Sequence, residues 1–155
     1  MMTLSEPDGF APGATPGARD ELESSTAFST ALLDHCNHPR NVGSFPPADD
    51  AVGTGWAEAT HCQDVVKLQI RVAADADVIA DARFKTFGCA AAIACSSLAT
   101  ELVKGRPVAE AAEVDRHVLG RLLALAPRRL DCAATVEQAV TLAVADYRKK
   151  RENRS

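Results

Sequence analysis

The stretch "DVVKLQIRVAADADVIADARFKTFGCAAAIACSS", residues 64–97, changes its period partway along. Val66, Leu68, Ile70 and Val72 alternate with Lys67, Gln69 and Arg71, and then Ala80, Ala82 and Phe84 alternate with Asp81, Arg83 and Lys85. Period two with one apolar side is the signature of strands that bury one face of a sheet. The short "AADAD" between the two runs makes an antiparallel hairpin the economical connection. Beyond Gly88 and Cys89 the pattern turns helical, and a helix over Ala90–Lys104 is expected, closed by a left-handed Gly105 and stopped by Pro107.

On the N-terminal side, "AVGTGWAE" (51–58) alternates Val52, Thr54 and Trp56 with small residues. It reads as a third strand, weakened by its glycines. A helix is expected from Thr26, with Phe28, Ala31, Leu32 and His35 at helical spacing; it ends before Pro39, which disfavours helical geometry in His38. On the C-terminal side, shorter helical pieces run to Pro127. A last helix spans about Ala133 to Lys149, with Val136, Val140, Ala143 and Tyr147 as its apolar stripe. One sheet with helices on one face is an α+β domain with a three-stranded antiparallel sheet. That domain is expected over 24–155. Residues 1–23, rich in Pro, Gly, Ser and acid without periodicity, are expected to be a disordered tail, since they bury too little apolar surface to offset ordering entropy.

The 155-residue chain carries a net charge of -4 and a pI near 5.5. Nucleic acid and anionic membrane surfaces would repel it, so neither is an expected partner. No run approaches the ~20 apolar residues that span a bilayer, and the first residues lack the form of an export leader, so a cytoplasmic location is expected. Its five cysteines, Cys36, Cys62, Cys89, Cys95 and Cys132, are an odd number for a disulfide framework. In a reducing compartment they mean metal, catalysis or core.

Pairing Val72 with Ile79 and continuing symmetrically away from the turn sets Cys62 opposite Cys89, just beyond one end of the hairpin. Opposed residues there lie roughly 5 Å apart, close enough to share an ion or small cluster. Cys89 stands where a helix begins, and unpaired N–H groups with the helix dipole favour a negatively charged sulfur there. Cys132 is expected to begin the last helix in the same manner, and Asp64 adds a carboxylate near that end. Three thiolates and one carboxylate form a four-ligand set for zinc, or for an iron–sulfur cluster with one weak oxygen ligand.

Plainer roles compete with these. Cys is among the most buried residue types, and Cys95, six residues past Cys89 on a helix, points away from it and suits the core. Cys36 suits a structural place beside a helix end, and His35, His38 and His117 suit the surface or caps. His61 adjoins Cys62 and is a weaker ligand candidate. Asp131 is either a cap of the last helix or a further ligand.

Four segments in order, "LLDHCNHPRNVGSF", "CQDVVKLQIRV", "IADARFKTFGCAAAIACSSLATELVKG" and "AVADYRKKRE", resemble the U-type iron–sulfur cluster assembly scaffolds, IscU and the N-terminal domain of NifU. The resemblance covers roughly Phe28 to Arg151. It implies a non-enzymatic scaffold that builds a labile 2Fe–2S cluster from iron, brought by an iron donor, and sulfur from a cysteine desulfurase. The cluster then passes to apo-protein acceptors. The family's ligand cysteines fall on Cys62, Cys89 and Cys132 and its aspartate on Asp64. Cys132 is the implied sulfur acceptor, and zinc is the implied occupant of the same ligands in the cluster-free form.

The sequence departs from the pattern in three places. Gln63 follows the first ligand cysteine where a glycine is usual, and Asp131 precedes the third where a histidine is usual. "LAPRRLDC" stands where a chaperone-docking LPPVK motif would be, with only Leu125 and Pro127 matching, so docking of that chaperone is not expected. A NifU-like or stand-alone hand-off route then fits better. The SufU branch, a zinc-dependent sulfurtransferase working with its desulfurase, is the runner-up. That branch usually carries an insertion between the second and third cysteines that is not seen here.

Overall fold

The structure is a computed structural model that describes residues 28–46, 48–60, 63–73 and 75–154. In chain order these form α1 (Thr30–Asn37), β1 (Val52–Glu58), β2 (Val65–Ala73), β3 (Val78–Phe87) and α2 (Ala90–Val103). A 3-10 turn at Val108–Glu113, α3 (Arg116–Leu122), a second 3-10 turn at Pro127–Arg129 and α4 (Leu130–Arg154) complete the chain. The expected tail, 1–23, lies outside the described residues. Among those described, no helix is long and apolar enough to cross a membrane.

The three strands form one antiparallel sheet in the order β1-β2-β3, with α2 and α4 packed on one face. Val66, Leu68 and Ile70 of β2 are fully buried, each contributing about 1.5–3 kcal/mol by leaving water. The other face is covered at one end by Phe45, whose ring lies beneath the guanidinium groups of Arg71 and Arg83. Its backbone N–H donates to the buried Gln69 side chain.

The hairpin differs from the symmetric expectation in one respect. Val72 faces Ile79 as expected, but Arg71 faces Asp81, so Ala80 is an extra residue and the register beyond it is shifted by one. This bulge turns Ala80 out to solvent and gives its inward place to Ile79. Such an insertion bends the strand and is set by local twist, to which an alternating sequence pattern is blind.

β1 turns its small residues to the core. Gly53, Gly55 and Ala57 are buried under α4 and Trp56 is exposed. A Cβ on Gly53 would lie 2.7 Å from the Tyr147 Cβ, and one on Gly55 would lie 2.6 Å from the Ala143 backbone nitrogen. The glycines that weaken the strand as a sequence signal are what let the helix backbone approach it. The apolar stripe of α4 is as expected, with Val136, Val140, Ala143 and Tyr147 all buried. The helix begins at Leu130, three residues earlier than expected, and continues to Arg154.

The first helix starts at Thr30, not Thr26, because the Ser29 side chain accepts from the Leu32 N–H as its N-cap. Phe28 is therefore outside the helix, and its ring packs beneath Arg129. It ends at Asn37, as Pro39 requires. α2 ends one residue short of the expected boundary, and Gly105 follows with φ +86°.

Gly55→Ala is expected to destabilise the protein by about 1–3 kcal/mol, since the added methyl group meets helix backbone that cannot rotate away. A urea midpoint lowered at unchanged m value would show it; a midpoint equal to the parent's would mean that glycine does not set this spacing.

Candidate metal centre

Two turns separate Cys132 from Ala139, and Ala139 and Ala143 are the residues that Gly55 meets. The close seating of α4 on β1 thereby lays the start of α4, with Cys132, over the end of the sheet from which Asp64 enters β2. From the other side, β3 delivers Cys89, which is the N-cap residue of α2. The turn between them is Gly88 at φ +150°, a conformation that side-chain-bearing residues rarely adopt.

Gly88 also makes room. A Cβ there would sit 2.6 Å from Asp64 Cγ, so the carboxylate occupies the volume that any larger residue would fill. The bulge at Ala80 brings this about, because it carries Asp64, instead of Gln63, opposite Gly88. The Cys89 backbone N–H donates to Asp64 Oδ1 at 2.8 Å. Asp64 Oδ2 lies 3.4 Å from the Cys89 Sγ and 3.6 Å from the Cys132 Sγ, and the two sulfurs are 3.4 Å apart. That S–S distance is far beyond a disulfide's, so both are free thiols.

Asp64, Cys89 and Cys132 thus offer three ligand atoms within 4.8 Å of one another. Asp64 is 3% and Cys132 6% exposed, while Cys89 is half-buried. Burial pushes the Cys132 thiol well above its ordinary range, and the neighbouring Cys89 and Asp64 push it further. Three acidic groups this close in a low-dielectric corner cannot all be charged in the absence of a cation. A soft, positively charged species is what the set can hold: two sulfurs suited to zinc or iron, with one oxygen as the harder, weaker donor. These residues fit a metal ion or an iron–sulfur cluster.

Of the other predicted ligands, Cys62 and His61 lie outside the described residues. The loop that carries them is closed at its base by the Ala59 N–H donating to the Asp64 carbonyl at 3.0 Å. Asp131 is neither cap nor part of the donor group. It is the second residue of α4, exposed, and lines a surface groove with Glu58, Thr60 and Arg116. Cys132 is the third residue of α4, so it lies within the first helical turn and not at its cap.

Cys95 is fully buried in the core, and burial, followed by the nearby Cys89 and Asp64, pushes its thiol up to about 12. Cys36 is half-buried against the core, its thiol pushed up by burial and then by Cys89. His35 is not a free surface residue: its Nδ1 lies 2.8 Å from the Ser97 hydroxyl, and burial pushes the imidazole down. His38 is the exposed C-cap residue of α1, and His117 is exposed on α3. The feature that sequence reasoning missed is Gly88, whose signal was a glycine placed directly between a strand and a helix-starting cysteine.

The sequence profile of the NifU-like N-terminal domain matches residues 27–154. The chain is 48% identical over 128 residues to the iron–sulfur cluster assembly scaffold protein IscU of Rickettsia prowazekii, covering 83% of this chain and 97% of that protein. It is also 48% identical over 126 residues to Escherichia coli IscU, covering 81% and 98%. Among solved structures, a candidate iron–sulfur cluster assembly scaffold of the SUF system from Fervidobacterium islandicum superposes with a TM-score of 0.60 at 22% identity, covering 75% of this chain and 95% of that one.

Because Cys95 rises from an ordinary 9.0 to about 12 on folding, its contribution to stability is whole below pH 9 and is lost as pH climbs through about 12. Cys95→Ala is expected to flatten the alkaline limb of a stability–pH curve between those values. A limb as steep as the parent's would place the alkaline loss elsewhere.

Proposed function

Because the chain belongs to the NifU-like N-terminal domain family, we propose that it is a scaffold on which a 2Fe–2S cluster is assembled and from which the cluster passes to apo-proteins. It turns over no substrate by itself. The observation that carries this reading is the convergence of the Cys89 and Cys132 sulfurs with the Asp64 carboxylate. Cys62 is the proposed third thiolate. It stands two residues before Asp64 in the chain.

In this role Cys89, Cys132 and Cys62 bind the inorganic cargo as thiolates, so binding releases protons. The N–H groups at the start of α2 and the cation itself offset the negative charge of the sulfurs. Asp64 is the weak point of the grip. A carboxylate prefers harder ions than a thiolate does, and its oxygen leaves iron–sulfide more readily than sulfur would. A labile hold suits a carrier that must release what it builds.

Cys132 is the proposed sulfur acceptor. Its sulfur attacks the outer sulfur of the desulfurase persulfide, forming a persulfide on Cys132 and releasing the desulfurase thiolate. A reductant must then supply two electrons to convert that sulfur to bridging sulfide. Burial keeps the Cys132 thiol protonated in the metal-free state, so a bound cation or an opened α4 start is needed before it attacks. Zinc in the cluster-free form satisfies the same donors.

The SUF-system neighbour shares the fold, but at 22% identity it lends the sulfurtransferase alternative little weight beside relatives at 48%.

Anaerobic reconstitution with iron, cysteine and a cysteine desulfurase separates the two. The expected outcome is a visible 2Fe–2S absorption that can be handed to an apo-ferredoxin. Tight zinc that does not exchange, with persulfide accumulating on one cysteine, would replace the scaffold by the sulfurtransferase. On the loaded protein, Asp64→Ala is expected to slow cluster loss severalfold, read as bleaching of the visible absorption under a chelator. Faster bleaching would show that Asp64 holds the cluster instead of loosening it.

A further inference from the structure

The face of the sheet turned away from the helices is left open at the end nearest the thiols. There the cross-strand rows are Trp56–Lys67–Lys85 and Glu58–Val65–Phe87. Trp56 is 58% and Phe87 73% exposed, high values for the two side chains that gain most by leaving water. Around the outer edge of β3, Phe87 continues into an apolar groove of about 310 Å3, lined also by Pro39, Val42, Phe84, Lys85 and Ile93. Val42 is 54% exposed. Only Gly88 separates Phe87 from Cys89, so the groove lies at the end of β3 that leads to the donor sulfurs.

Two lysines stand between the two aromatics. Lys67 lies 5.6 Å from the Trp56 ring centroid and donates to the Ser44 hydroxyl, and Lys85 is exposed at the groove. Among the described residues neither pairs with a carboxylate. Farther along the same face Arg71 pairs with Asp49, and Arg83 shares Asp81 with Lys104. The two lysines that pair with no carboxylate thus stand at the end of this face nearest the thiols, with Glu58 the acidic residue of the adjoining row. The chain as a whole is net negative, yet beyond a Debye length of about 8–10 Å that excess is screened and the local lysines decide which surface can approach.

Resting on the scaffold reading, we propose that this patch, Trp56 and Phe87 around Lys67 and Lys85, is where an acidic cluster acceptor docks. Its carboxylates meet the two lysines and an apolar side chain enters the groove at Phe87. A contact made by so few side chains falls well short of the about 1,000 Å2 of a stable interface. Its attraction comes from charge, which speeds encounter more than it slows departure. That suits a brief hand-off beside Cys89 better than a lasting complex with the sulfur donor.

Trp56 is the single tryptophan of the chain, so its emission reports docking directly and needs no cluster. The full chain is titrated with an acidic, tryptophan-free apo-ferredoxin at low and at 0.5 M salt. The expected result is a saturable shift in Trp56 emission that weakens about tenfold at high salt and about tenfold in Lys67→Glu/Lys85→Glu. Arg148→Glu, on the far end of α4, leaves it unchanged. With loaded protein, the bimolecular transfer rate falls in parallel in the lysine variant and in Phe87→Ser, while the rate of cluster assembly with the desulfurase stays at the parental value. An emission unaffected by the ferredoxin, or equally affected in all variants, overturns the proposal. So does assembly slowed as much as transfer, which would give the patch to the sulfur donor. Failure to form any cluster would instead sink the scaffold reading, and the fluorescence titration would still decide the docking site.

Discussion

The site depends on a carboxylate being allowed into a space that only glycine leaves free. Asp64 enters the volume beside Gly88, accepts the Cys89 N–H at 2.8 Å and sets an oxygen within 3.6 Å of two sulfurs. That single hydrogen bond ties the start of β2 to the start of α2. Without it, a buried carboxyl would lack the Cys89 backbone donor and Cys89 would lose a contact that fixes its position relative to the sheet. The register shift at Ala80 and the left-handed turn at Gly88 are both conditions for it.

A second close approach brings Cys132 to the same corner. α4 is 25 residues long, and where its start falls is decided by how near its middle can come to β1. The glycines at 53 and 55 remove the side chains that would hold it off. Packing deep in the core thus sets the position of a thiol at its rim, because a helix transmits a displacement along its length with little bending. The cluster of acids that results is poorly satisfied on its own: the Cys132 thiol is forced to keep its proton. The Cys132 thiol would release its proton to a bound cation, and the favourable energy of binding is partly the relief of that crowding.

Much of this was legible in the sequence, and the remainder was illegible for definite reasons. β2 and β3 could be read because solvent on one face and helices on the other impose period two on Val66 to Val72 and on Ala82 to Phe84. The helix starting at Cys89 and stopping before Gly105 could be read from caps. The bulge could not, since Ala80 is as acceptable inside as outside and nothing in "VIADA" marks an extra residue. The orientation of β1 was not legible, since Val52, Thr54 and Trp56 alternate with small residues and size alone does not say which set faces the core. Here the core face is occupied by another backbone, and Trp56 is displaced to solvent. The hairpin placed Asp64 and Cys89 at one end of the sheet but not the register that joins them, while Cys132, 43 residues beyond Cys89, was placed by resemblance and by its helix start, not by any local pattern.

The two faces of the sheet divide the labour that such a carrier needs. The helix-covered face is dry and rigid and fixes the ligand geometry, which demands that Gly53 and Gly55 be small. The open face is under no packing demand near the thiols, because the covering loop around Phe45 stops at Arg71 and Arg83. An exposed tryptophan there carries a standing cost in hydration that a monomer could avoid with any polar residue. Lys67 partly offsets it by lying against the ring, yet leaves the edge bare. A surface kept apolar and cationic beside a site that releases its contents is explained by what comes to collect them, and the fold places that surface within two residues of the sulfur it must reach.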